Sequence, residues 1–156
     1  MHLIVHATAG ALVGQATGNP WLGFIYGVLS HIILDMIPHG DSSLYQRYKR
    51  KEISTKKVMA TTVLDSIAAI VLVIIVFNLG IYGSKLVTSM AILGAIIPDV
   101  MIGLYELASP KAPKFLKIIH KWHFKNHDLF ASRRDFSWKN GFLLQIIIFF
   151  VLLKIL

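Results

Sequence analysis

His31 and Asp35 lie four residues apart in an otherwise apolar stretch, Gly27 to Asp41, which reads GVLSHIILDMIPHGD. Ser30 precedes them, and the stretch closes on Pro38-His39-Gly40-Asp41. A spacing of four places His31 and Asp35 on one face of a helix. An imidazole beside a carboxylate can hold a divalent cation or pass a proton. Burying the two without partners in an apolar segment is costly, so the pair calls for a reason.

Residues of the same chemistry recur along the chain: His6, Asp65, Asp99, His120, His123 and His127, with His39 and Asp41 as possible additions. Cysteine is absent, which removes disulfides and thiolate ligands from consideration. A metal would be held by His and carboxylate alone. That donor set suits a divalent ion, with zinc favoured by imidazole and manganese or iron by added carboxylate. When bound, such an ion polarises a phosphoryl or carbonyl oxygen and lowers the pKa of water at the site. A remaining carboxylate, with Asp65 the candidate, is expected to serve as the general base.

The elements that must position these residues are apolar helices. Of the 156 residues, 55% are hydrophobic, and the mean hydropathy is +0.64. With several long apolar runs, this indicates one integral membrane domain over 1–156. The N-terminal stretch lacks a Lys/Arg-rich start, and His2 and His6 interrupt it, so it is expected to remain as a first helix rather than to be a cleaved signal. Leu3 to Ala16 is rich in small residues, and Gly10 with Gly14 forms a pair that lets another helix approach closely. Gly18-Asn19-Pro20 reads as a turn. Further helices are expected over Trp21–Pro38, Val58–Leu79, Lys85–Leu107 (broken near Pro98-Asp99) and Asn140–Leu156. The fold class is therefore all-α, a bundle of about five spans.

Two basic loops separate these spans, 42–57 with six Lys or Arg and 109–139 with eight. The positive-inside rule places both in the cytoplasm, with the N-terminus on the same side, in a multi-pass protein of the cell inner membrane. His6, His31, Asp35, Asp65 and Asp99 then all fall toward the cytoplasmic face. Within the second loop, Ala112 to Asp128 reads as an interfacial amphipathic helix. Phe115, Ile118, Ile119 and Trp122 share one face. Lys114, Lys117, Lys121 and Lys125 share another, and His120, His123 and His127 a third. The apolar and Lys faces suit lipid and anionic headgroups. The net charge of +8 is thus read as topology and lipid contact. No motif of nucleic-acid recognition accompanies it, and no Gly-rich phosphate loop or nucleophile elbow is present.

Each candidate also has a purely structural reading. His31 with Asp35 can be a packing pair, and Asp65 can cap a helix or pair with Lys56 or Lys57. Asp99 can cap a resumed helix, and His39 and Asp41 can be a solvated turn.

At these residues the chain resembles the predicted membrane-bound metal-dependent hydrolases, a group that includes LexA-regulated inner-membrane proteins of bacteria. The likeness rests on His6 followed by Gly10 and Gly14, and on the segment Gly94-Ala95-Ile96-Ile97-Pro98-Asp99. A His-rich segment, His120-Lys121-Trp122-His123-Phe124-Lys125-Asn126-His127, stands where the family has His-Arg-Gly-x-Thr-His, without the Gly and Thr. The family's Pro-Asp-x-Asp-His is altered to Leu34-Asp35-Met36-Ile37-Pro38-His39-Gly40-Asp41. The resemblance implies a multi-spanning protein with a divalent-metal site and hydrolase activity. The expected function is a membrane-embedded hydrolase acting on a phosphoester or ester at the cytoplasmic face, with phospholipid a candidate substrate. His31, Asp35, Asp99 and His123 are the preferred ligands, and His6, His120 and His127 come next. The alternatives are a metal-ion or proton transporter, in which the same residues line a path, and a non-catalytic scaffold with a structural metal.

Overall fold

A computed structural model describes residues 1–130 and 136–156, with the side chains of 41–44 and 127–130 also outside the described residues. Among the described residues the chain is all-helical and has no strand. The elements are α1 (Leu3–Ala16), α2 (Pro20–Asp35), α3 (Asp41–Lys49), α4 (Thr55–Asn78), α5 (Lys85–Ala108), α6 (Lys114–Phe130) and α7 (Trp138–Ile155).

Helix length divides the five expected apolar helices into two groups. Among the described residues α4, α5 and α7 are long and apolar enough to cross a membrane. The 14 residues of α1 and 16 of α2 rise only about 21 and 24 Å, short of a hydrocarbon core of about 30 Å. Large apolar side chains such as Leu64, Ile70, Ile74, Ile147 and Phe150 stand exposed on α4 and α7, as expected of helices whose outer surface faces lipid.

The small residues of α1 explain its position. It packs against α2, α4, α5 and α7, and it is buried from Val5 to Ala11 and again at Gly14. The helix that its glycines admit is α5: a Cβ on Gly10 would stand 2.7 Å from the Ile92 Cα, and one on Gly14 2.5 Å from the Thr88 Cα. The contact between α2 and α5 is equally close. A Cβ on Gly27 would collide with the Ala91 carbonyl, and one on Gly94 with the Phe24 carbonyl. Backbone against backbone, α1, α2 and α5 form the inner layer.

Three expectations are corrected locally. The loop 42–57 contains α3, opened by Gly40 at φ 85°, a conformation that glycine adopts without strain. Helix α5 runs unbroken through Pro98. Helix α2 stops at Asp35, so Pro38 and His39 belong to the turn that follows. The start of α2 is set by Asn19, whose side chain accepts from the Trp21 and Leu22 N–H groups, with Pro20 at the first helical position. In α6 the amphipathic pattern is realised: Phe115, Ile118 and Trp122 stand exposed, while buried Leu116 and half-buried His120 and His123 face the bundle.

Candidate metal centre

The centre lies where the first turns of α1, the last turns of α2 and the middle of α5 meet beneath α6. Helix α1 begins at a fixed place because Asp65 of α4 accepts from the Leu3 N–H at 2.7 Å and the Ile4 N–H at 3.3 Å. These are among the N–H groups that a helix start leaves without partners. His6 follows one turn later. His31 and Asp35 come from one face of α2, Asp99 from α5, and His123 from the inward face of α6.

Asp35 is the hub. It is 1% exposed, and its Oδ2 lies 3.0 Å from His31 Nε2 and 3.8 Å from His123 Nε2. Its Oδ1 lies 3.1 Å from His6 Nε2 and 4.0 Å from His39 Nε2. Asp99 closes the cluster: Oδ1 is 3.7 Å from His31 and 4.0 Å from His123, and Oδ2 is 3.9 Å from His6. The rings of His6 and His31 stack with centroids 4.0 Å apart.

The imidazoles are held from behind. His31 Nδ1–H donates to the Ala95 carbonyl at 2.8 Å, and His39 Nδ1–H donates to the Ile37 carbonyl at 2.6 Å. A carbonyl can only accept, so each Nδ1 carries a proton and each Nε2 is the ring nitrogen turned toward the cluster. Metal-ligating imidazoles are commonly oriented in this way. The turn bearing His39 is fixed by Gln145 of α7, which donates to the His39 carbonyl at 3.0 Å and accepts from the His2 N–H at 2.7 Å. Gly141 allows that turn to approach, since a Cβ there would meet the His39 carbonyl.

The residues fit a divalent ion on two counts. One ligand atom from each of His31, Asp35, Asp99 and His123 lies within 4.8 Å of the others. His31 Nε2 is buried and makes no hydrogen bond there, although a buried polar atom normally has one. The Met1 ammonium lies 2.7 Å from Asp35 Oδ1. The cluster can therefore hold a metal ion. It also has an open side, because Asp99 is 28% and His123 12% exposed at the side chain, against 1–2% for His31 and Asp35. Catalytic metal sites keep such an opening, whereas structural ones are closed.

The structure thus brings together His6, His31, Asp35, His39, Asp99 and His123. It does not bring in two residues expected there. Asp65 caps α1 and also lies 3.2 Å from His2 Nδ1, so its oxygens are engaged away from the cluster. His120 turns instead toward a second polar group. Tyr45 Oη donates to Glu106 Oε1 at 2.8 Å and lies 3.0 Å from His120 Nε2, while Lys49 Nζ donates to Glu106 Oε2 at 2.9 Å. Burial first, and then the Glu106 hydrogen bond, push the Tyr45 hydroxyl up to about 12. Burial holds the His120 imidazole below its usual range despite the nearby Glu106. The side chains of Asp41 and His127 lie outside the described residues.

Gln145, Tyr45 and Glu106 escaped the sequence reading. The signal for Gln145 was present as an amide inside an apolar segment, 2% exposed in the fold. Tyr45 and Glu106 sit in polar or terminal stretches where nothing marks them out. Comparison with family models, with curated proteins and with solved structures finds no match to the chain.

Proposed function

We propose that this chain is an integral-membrane metal-dependent hydrolase. Its divalent ion is held by His31, Asp35, Asp99 and His123, with zinc the first candidate and manganese or iron next. The observation that carries the reading is the convergence of these four donors, from α2, α5 and α6, within 4.8 Å in an apolar protein. The partial exposure of Asp99 and His123 supports catalysis over a structural metal. The likeness to membrane-bound metal-dependent hydrolases, carried by His6 and the Gly94–Asp99 segment, points the same way.

The ion, when bound, supplies Lewis acidity and a lowered water pKa. The chain supplies the rest. Ala95 and Ile37 hold two imidazoles with Nε2 toward the cluster. Asp99 is the more open of the two carboxylates. Helix α6 covers the site and brings His123 to it. The substrate is a phosphoester or ester at the cytoplasmic face of the inner membrane, with a lipid favoured. Supporting the lipid, an apolar groove between α1, α4 and α5 is lined by Leu3, Ala69, Ile70, Val73 and Ile96, and exposed lysines flank the apolar face of α6.

The test is elemental analysis of the purified protein together with phosphate and fatty-acid release from mixed phospholipids. Bound divalent metal, and hydrolysis lost in Asp35→Ala and Asp99→Ala, are the expected results. Metal-free protein of full thermal stability, or ion flux in liposomes without hydrolysis, would overturn the reading.

A further inference from the structure

The two carboxylates of the centre do not face a single point. Asp35 turns Oδ2 toward His31 and His123, at 3.0 and 3.8 Å, and Oδ1 toward His6 and His39, at 3.1 and 4.0 Å. Asp99 divides in the same sense, with Oδ1 toward His31 and His123 and Oδ2 toward His6. The donors therefore sort into two sets: His31 and His123 face Asp35 Oδ2 and Asp99 Oδ1, while His6 faces Asp35 Oδ1 and Asp99 Oδ2 and His39 joins it through Asp35 alone.

The lengths favour ions over hydrogen bonds as the reason for this pattern. An N–H···O bond spans about 2.7–3.2 Å, which only two of the seven N···O separations satisfy. The other five, at 3.7–4.0 Å, are too long for a hydrogen bond, yet within the limit of about 4.0–4.4 Å that can separate two ligand atoms each about 2.0–2.2 Å from one ion. His39 is oriented by the Ile37 carbonyl as His31 is by that of Ala95.

We infer that the centre is binuclear. One divalent ion lies among His31, His123, Asp35 Oδ2 and Asp99 Oδ1, and a second among His6, His39, Asp35 Oδ1 and Asp99 Oδ2, with both aspartates bridging. This rests on reading the cluster as a metal centre. It also narrows the substrate class. Two divalent ions on two carboxylates leave net positive charge, and ions about 3.5–4 Å apart clamp the oxygens of a phosphoryl group. That positive charge favours a phosphoester, which is anionic, over a neutral carboxylic ester.

The test uses the full chain in detergent micelles, loaded with Mn²⁺ and dialysed, then read by elemental analysis and electron paramagnetic resonance. Two manganese ions per chain with an exchange-coupled signal are expected. His39→Ala should leave one ion with an uncoupled signal, and His6→Asn should read the same if His39→Ala fails to fold. One ion per wild-type chain, the Met1 ammonium keeping its place at Asp35, would overturn the inference and leave the hydrolase reading standing. So would two ions undiminished in both variants. No bound metal would overturn both readings. Two coupled ions without phosphoester hydrolysis would support the binuclear centre and sink only the activity.

Discussion

His31 of α2 and Ala95 of α5 are joined by a buried hydrogen bond of 2.8 Å, from Nδ1–H to the carbonyl oxygen. The bond ties together the two helices that carry Asp35 and Asp99, and it leaves His31 Nε2 facing both carboxylates. Removing the ligand itself should cost more than the roughly 10–100-fold in metal affinity that loss of an outer partner costs. His31→Ala is therefore expected to weaken divalent-ion binding at least 100-fold in chelator competition. An unchanged affinity would remove His31 from the centre.

Glycine at the contact between α2 and α5 is a steric requirement. Gly27→Val and Gly94→Val drive side chains into the Ala91 and Phe24 carbonyls, and overpacking of this kind costs about 1–3 kcal/mol or more. Both variants should melt earlier and lose metal, because His31 and Asp99 are pushed apart. Gly103 provides the contrast, since a Cβ there meets nothing within 4 Å. Gly103→Ala is expected to stabilise α5 by about 0.5–1 kcal/mol. Equal melting temperatures across the three variants would contradict the close packing.

Asp65 separates two roles that the sequence alone leaves open. As the cap of α1, its loss should cost about 0.5–2 kcal/mol and leave metal content and turnover per folded molecule intact. As a general base, its loss would lower turnover by about 10²–10⁴-fold. Thermal melting beside single-turnover hydrolysis of Asp65→Ala decides between them, and the first outcome is expected.

These cases show what the sequence discloses. His6, His31, Asp35, Asp99 and His123 were legible because an ionisable residue in an apolar helix is costly and so announces itself. Asp65 was legible as a residue but not as a role, since a cap and a base share one side chain. The centrality of α1 was out of reach, because its small residues say that some helix approaches but not that four do. The continuity of α5 through Pro98 was equally hidden. Proline removes one helical hydrogen bond, and neighbouring helices can hold the rest in place.

Docking of α6 should depend on pH through His120. The imidazole faces Glu106, Tyr45, Tyr105 and Phe124, with Lys49 nearby, and burial lowers its pKa below 6.5. Docked, it is held neutral. Undocked, it protonates near the usual value. The docked state is therefore fully favoured above about pH 6.5 and weakens as pH falls through the lowered pKa. Tyr45, pushed up to about 12, remains a hydrogen-bond donor throughout. Amide hydrogen exchange of α6 should accelerate on acidification, and His120→Gln should flatten that dependence. Slower exchange at low pH would reverse the sign and sink the prediction.

The outer face of α6 should meet lipid. Phe115, Ile118 and Trp122 are 57–61% exposed, and exposed Lys114, Lys117, Lys121 and Lys125 lie beside them. In a variant retaining Trp122 alone of the three tryptophans, brominated lipids are expected to quench its fluorescence, more strongly in anionic than in neutral bilayers. An unquenched Trp122 would place this face in water.

The short α1 sets how deep the cluster lies. At the end away from the cluster, Gln15 donates to the Leu156 carbonyl, and Gly83, in the turn between α4 and α5, lies against the Gln15 carbonyl. From that common floor, the 14 residues of α1 rise about 21 Å, and α5 climbs nearly the same height from Lys85 to Asp99. The 24-residue helices α4 and α5 continue about 13–15 Å farther. The carboxylates therefore stand about 13 Å short of the far end of α5 along its axis, with α6 packed on α5 and α2. On the function proposed above, a phosphoester on a lipid would have to reach that depth, or the bilayer would have to thin around it. Water would enter past the partly exposed His123, and α6 would then be a gate as well as a source of the proposed ligands.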